Sequence, residues 1–200
     1  ATTPTAPTTP TLVATSIIVT PNTVSLDAIG KTAQLSASVK DQNGATMSGA
    51  SVSWGSSGAG ATVSSTGLVT AAANGTATIT ATSSSASGTA AVTVAQAATI
   101  IALSDTVLTF ASLADTTQLT ATVTDASGTV VLGATVTWAT SDASIATVSD
   151  AGLVTSVAAG TATVTATSGS ASGTASVTVA SFFLAANGVT LTCSAADVGE

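Results

Sequence analysis

The chain has 200 residues and a formal net charge of −7, and it is 45% apolar but only 6% charged and 2% aromatic. Its basic residues are Lys31 and Lys40 alone, so no basic stripe can release counterions from a phosphate backbone, and nucleic acid is excluded as a partner. His, Tyr and Arg are missing and Glu occurs only as Glu200, which leaves the many hydroxyls and Cys193 without a histidine base, and no constellation supports a lysine in its place; a non-enzymatic protein that needs no cofactor is expected.

Residues 1–15 hold all but one of the prolines, interleaved with Thr. Proline fixes φ and removes a donor, so this extension reads as an extended spacer, and Thr/Pro-rich stretches of this kind are typical carriers of O-linked sugar. Thr2, Thr3, Thr5, Thr8, Thr9 and Thr11 are the candidate attachment points. Leu12 and Val13 end the extension with an apolar pair suited to docking on a neighbouring subunit.

Residues 16–95 and 99–180 form two copies of one pattern. In the first, Ile17–Thr20 opens the copy. A strand follows in which Ala33, Leu35, Ala37 and Val39 alternate with Gln34, Ser36, Ser38 and Lys40, ending at the turn Asp41-Gln42-Asn43-Gly44. Val52 and Trp54 point inward from the next strand. Thr62–Ser64 and Leu68–Thr70 flank the turn Ser65-Thr66-Gly67. Ala77, Ile79 and Ala81 then face a core, as do Ala90, Val92 and Val94 on the last strand. Thr alternates with Ala, Ile or Val along Gly75–Thr82 and again along Gly160–Thr167, a period of two that gives each strand one dry and one wet side. The repeat pairs Ile17-Ile18 with Ile100-Ile101, Gln34-Leu35 with Gln118-Leu119, Trp54 with Trp138, and Gly67-Leu68-Val69-Thr70 with Gly152-Leu153-Val154-Thr155. Seven or so short strands per copy, separated by polar turns, describe a two-sheet sandwich whose thin, Ala-rich core depends on one Trp. The fold class is therefore all-β, with two tandem Ig-like sandwiches.

The linker 96–98 is short and has no Gly or Pro, which predicts limited bending and a short rod. In the tail, 181–200, Phe182, Phe183 and Leu184 are separated from Val189 and Leu191 by Ala186-Asn187-Gly188, a hairpin signal. A lone hairpin is marginal, so this piece needs a partner surface or begins a further element.

Together Thr20-Pro21, Val24, Leu26, Gly30, Gln34-Leu35, Trp54, Ala61-Thr62-Val63, Gly67-Leu68-Val69-Thr70 and Gly75-Thr76-Ala77-Thr78-Ile79-Thr80-Ala81, with their second-copy counterparts, resemble the bacterial immunoglobulin-like group 2 family. The resemblance implies an Ig-like sandwich of bacterial and phage surface proteins, including intimin- and invasin-type adhesins, used as a spacer and sometimes as a binder. It brings no catalytic motif. The second copy departs from it with Leu103-Ser104 in place of Thr20-Pro21. The first carries Gly58-Ala59-Gly60 where the second has Ala143-Ser144-Ile145, which predicts a looser edge in the first copy.

Other constellations are sparse. The Asp residues show no calcium-loop spacing and read as turn and capping residues, so no metal is expected. The Thr ladders read as β propensity on a wet face, as glycan carriers, or as a flat hydroxyl array, which sheet twist opposes. Asn74-Gly75-Thr76 is an N-glycosylation sequon. Cys193 is the only cysteine and so has no intrachain disulfide partner; it is left to pair between chains, to pair with a cysteine beyond Glu200, or to stay buried and free. The chain opens without a charged-then-apolar leader, so any signal peptide is expected to have been removed. No apolar run of about 18 residues could span a membrane. The composition points to an extracellular or cell-surface protein, either a glycosylated stalk or filament subunit that self-associates through Leu12, Val13, Phe182, Phe183 and Cys193, or a surface adhesin for a host receptor or carbohydrate.

Overall fold

The computed structural model describes residues 11–184 and 191–194, with side chains through Ser181. The chain divides into two compact units, 1–96 and 97–200.

In the first unit the strands are β1 (Ala14–Thr20), β2 (Thr23–Leu26), β3 (Thr32–Gln34), β4 (Ser36–Asp41), β5 (Ser53–Ser57), β6 (Ala61–Val63), β7 (Leu68–Ala71), β8 (Gly75–Ser83) and β9 (Ala86–Val94). One sheet has the order β2-β9-β8-β5, with β2 parallel to β9 and the other pairs antiparallel. The opposing layer is made of β3-β7-β6 and the pair β1-β4. Alternation decides which side is dry. Ala77, Ile79 and Ala81 of β8 and Ala90, Val92 and Val94 of β9 are buried, against Leu35 and Val69 from the opposing layer.

The second unit repeats the plan with β10 (Ile100–Leu103), β11 (Val107–Phe110), β12 (Thr116–Gln118), β13 (Ala121–Thr124), β14 (Thr137–Thr140), β15 (Ala146–Val148), β16 (Leu153–Ser156), β17 (Gly160–Ser168) and β18 (Ala171–Val179). Its sheets are β11-β18-β17-β14, β12-β16-β15 and β10-β13. Beyond it, β19 (Ser181–Leu184) pairs antiparallel with β20 (Leu191–Ser194), as the hairpin signal requires. The turn at Ala186-Asn187-Gly188 lies outside the described residues.

Several sequence expectations change. The single strand expected across Ala33–Val39 is two strands in different pairings, because β3 pairs with β7 and β4 with β1. The break falls at Leu35, whose side chain is buried and whose N–H donates to the Gly67 carbonyl at 2.9 Å. Gln34 holds this corner, with Nε2 donating to the carbonyls of Leu35 (2.7 Å) and Thr66 (2.8 Å). Gln118 does the same with Leu119 and Ala151. The Gln-Leu pair is therefore a joint where one chain run changes neighbours. β7 and β8 are consecutive strands, yet they belong to different sheets.

The match of Ile17 with Ile100 is also corrected. Ile17 lies opposite Val39 and Ile101 opposite Val123, so Ile17 corresponds to Ile101. Thr20-Pro21 then corresponds to Ser104-Asp105, not Leu103-Ser104. The first strand begins at Ala14, so the extension stops before the expected Thr15. The loop at Gly58-Ala59-Gly60 is not loose. A Cβ on Gly58 would meet the Thr76 carbonyl at 2.6 Å and one on Gly60 the Gly75 carbonyl at 3.0 Å, so the glycines let this loop close backbone to backbone on β8.

The turn reading of Asp41 and Asp125 holds, and both carboxylates are buried. Asp125 Oδ1 accepts the N–H groups of Ser127 and Thr129, each at 2.9 Å, and Asp41 Oδ1 accepts those of Asn43 and Ala45. Removing a buried acceptor strands its donors, which costs about 1–3 kcal/mol per group. Asp125→Ala is expected to destabilise the second unit by about 2 kcal/mol in urea unfolding, while Asp125→Asn, which keeps the acceptor oxygen, should cost less than half of that.

Candidate functional site

Three surface features remain once the core is removed. The first is the outer face of each four-stranded sheet. Cross-strand neighbours there include Thr76 with Thr93, Thr80 with Thr89, and Thr82 with Ser87 in the first unit, and Thr161 with Thr178, Thr163 with Ser176, and Thr165 with Thr174 in the second. Ser53 Oγ and Thr82 Oγ1 share a 2.6 Å hydrogen bond, matched by Thr137 and Thr167. Thr76 and Thr78 are exposed, whereas Thr80 and Thr82 are half-buried beside the exposed Thr89 and Ser87. No charged residue lies on these strand faces among the described residues.

The second is a groove of about 430 Å³ at the start of the first unit, where the apolar side chains of Leu12, Val13, Ala14, Met47 and Ala50 share the lining with three serines. Leu12 is 53% and Val13 52% exposed. The segment is held from the side, because Val13 N donates to Gln42 Oε1 at 2.9 Å and Gln42 Nε2 donates to the Thr11 carbonyl. The two expected assembly residues therefore lie together in the open. Met47 and Ala50, which complete the groove, were missed because they sit in a loop with no periodicity.

The third is Asn74. Its Oδ1 accepts the Gln96 N–H at 2.7 Å, and its Nδ2 donates to Gln96 Oε1 at 3.0 Å. The sequence marked Asn74 only as a sequon and gave no hint of Gln96.

The remaining candidates separate. Thr11 is exposed, while Thr2, Thr3, Thr5, Thr8 and Thr9 lie outside the described residues. Phe182 and Cys193 are opposite each other in the β19–β20 register, and Phe183 is opposite Thr192. Their side chains lie outside the described residues. Exposed Val130 and Leu132, the latter 86% accessible, replace Thr46 and Ser48 of the first unit, a difference that aligning the two copies would have found. Asp142, fully exposed, has its carboxyl held below the ordinary value by the Ser144 hydroxyl at 2.6 Å and the Ser144 N–H at 2.9 Å. Lys40 Nζ donates to Thr46 Oγ1, and Lys31 forms an exposed ion pair with Asp27. Among the described residues no three of His, Cys, Asp and Glu are grouped to hold a metal ion, and no helix is long and apolar enough to cross a membrane.

A sandwich repeated twice, with a Gln-Leu corner, a Gly-Leu-Val-Thr strand and one indole per copy, is an Ig-like module in class. The chain belongs to the bacterial Ig-like domain (group 2) family, which matches residues 13–94 and 97–179. No curated protein matches the chain in sequence. Among solved structures it is similar to the S-layer protein rSbsC(31-844), at 21% identity and a TM-score of 0.41 over 86% of this chain and 30% of that one. It is also similar to the Escherichia coli adhesin FdeC, at 22% identity and a TM-score of 0.46 over 86% of this chain and 66% of that one. Drosophila N-cadherin EC1-4 is similar at 14% identity and a TM-score of 0.39, over 79% of this chain and 46% of that one. The chain spans 30% and 32% of the first two S-layer chains it matches.

Proposed function

We propose that this chain is a non-enzymatic structural piece of an extracellular stalk, fibre or filament, joined to its neighbours through its terminal segments and carrying glycan on its Thr-rich surfaces. The observation that supports it most is the open groove at Leu12 and Val13, which leaves two large apolar side chains half in water just before β1. Covering apolar surface contributes about 25 cal/mol per Å², so a neighbouring copy that buried both side chains would gain a few kcal/mol. The groove carries no charge, so the net charge of −7 does not act directly across it.

The double variant Leu12→Ser/Val13→Ser tests this in sedimentation and electron microscopy of the full chain. Both positions are exposed, so folding should be unaffected. Association is expected to weaken by roughly tenfold or more, on the scale of about 1.4 kcal/mol per factor of ten. Assembly equal to that of the parent chain would refute the terminal-segment reading.

A further inference from the structure

The Asn74–Gln96 pair offers a control, because the fold is present twice. Val94 and Val179 hold equivalent places, each paired with the glycine that opens the long strand before it. Counting from there, Gln96 corresponds to Ser181 and Asn74 to Ala159. Both amide side chains are therefore found at the end of the first unit and neither at the end of the second. They act there as a pair, with backbone N–H to Oδ1 at 2.7 Å and Nδ2 to Oε1 at 3.0 Å.

The geometry points to Asn74 as a clasp that fixes the chain where it leaves β9, and that withholds the sequon from N-linked glycosylation once the first unit has folded. Transfer of a sugar from a nucleotide sugar forms a bond from Nδ2 to the anomeric carbon, expels a nucleoside diphosphate and removes one Nδ2 proton. The product is a secondary amide, which keeps its substituent trans to Cβ and therefore on the same side as Oδ1. Gln96 engages Oδ1 and Nδ2 together, so it occupies the side on which the sugar carbon must sit. Glycan and clasp exclude each other. The strand adds to the barrier: Gly75 and Thr76, the other two sequon residues, are already fixed opposite Val94 and Thr93. Sugar at Asn74 would then have to arrive before folding, and would leave Gln96 unclasped.

Two measurements test this on the full folded chain. A soluble asparagine glucosyltransferase with UDP-glucose is the probe, and occupancy of Asn74 is read by peptide mass spectrometry. Gln96→Pro removes both the N–H and Oε1 that hold Asn74, at a position outside any strand. Initial occupancy is expected to be at least about tenfold lower in the parent than in Gln96→Pro, the factor that one to two hydrogen bonds supply. Equal occupancy in the two chains, whether full or nil, overturns the proposal. In the second measurement, amide exchange at Gln96 is expected to quicken about tenfold in Asn74→Ala while Val92 and Val94 stay protected. Unchanged exchange at Gln96 would overturn it as well. Neither readout depends on whether the chain assembles.

Discussion

Trp54→Ala is expected to cost the first unit about 3 kcal/mol, and Trp138→Ala to cost the second as much, toward the low end of the range for aromatic truncation because each indole is only half-buried. Trp54 pairs with Ala81 and packs on the main core of its unit, whose other members are mostly Ala and Val. Small Ala and Val side chains can fill little of the space an indole leaves. A unit of about 80 residues has only about 5–10 kcal/mol to lose, so the variant should melt roughly 15 °C lower. The chain holds two Trp residues, which makes the check internal. In Trp54→Ala the remaining indole reports the second unit alone. Its fluorescence midpoint in urea is expected to stay where it was, while circular dichroism splits into two transitions. A single transition, or a fluorescence midpoint that moves with the substitution, would show that the indole is not the keystone of its own unit.

The sandwich was legible because both of its periodicities are written plainly. Thr alternates with small apolar residues along β8 and β17, and the pattern returns once, so the long strands and the copy number follow without any tertiary information. Sheet membership was not legible. Leu35 continues the alternation of Ala33 and Ala37 without a break, yet the chain changes partners there, because a side-chain pattern records which face is dry and not which strand lies alongside. The same blindness misplaced Ile17 by one residue. Ile17-Ile18 and Ile100-Ile101 match as letters, but only the pairing with Val39 and Val123 shows which isoleucine of each points inward. At the surface, Leu12 and Val13 could be read as an apolar pair next to a Thr/Pro run, whereas Met47 and Gln96 could not. They matter through contacts with residues far along the chain, and local spacing carries no trace of those.

Gly67→Ala, and Gly152→Ala in the second unit, should destabilise by roughly 3 kcal/mol, although a glycine-to-alanine change is ordinarily mild or even stabilising where the backbone permits it. Two separate costs combine. Gly67 has φ +82, a left-handed conformation that costs any residue with a Cβ about 1 kcal/mol. A Cβ there would also lie 2.7 Å from the Leu35 carbonyl oxygen and 2.9 Å from Cζ2 of Trp54, and the second unit repeats this with Leu119 at 2.6 Å and Trp138 at 2.9 Å. The carbonyl has little room to yield, because it also accepts from Gln34 Nε2 and its own residue donates back to Gly67. The indole can move only by giving up the contact that anchors it. This is the physical content of the Gly-Leu-Val-Thr motif: glycine is the floor on which the tryptophan rests. Gly44 separates the two terms, since it has φ +79 but nothing within 4 Å of where a Cβ would stand. Gly44→Ala is therefore expected to cost only about 1 kcal/mol, the backbone share alone. If urea midpoints fell equally for Gly44→Ala and Gly67→Ala, the collision with Leu35 and Trp54 would carry no energy, and the motif would be a turn signal and nothing more.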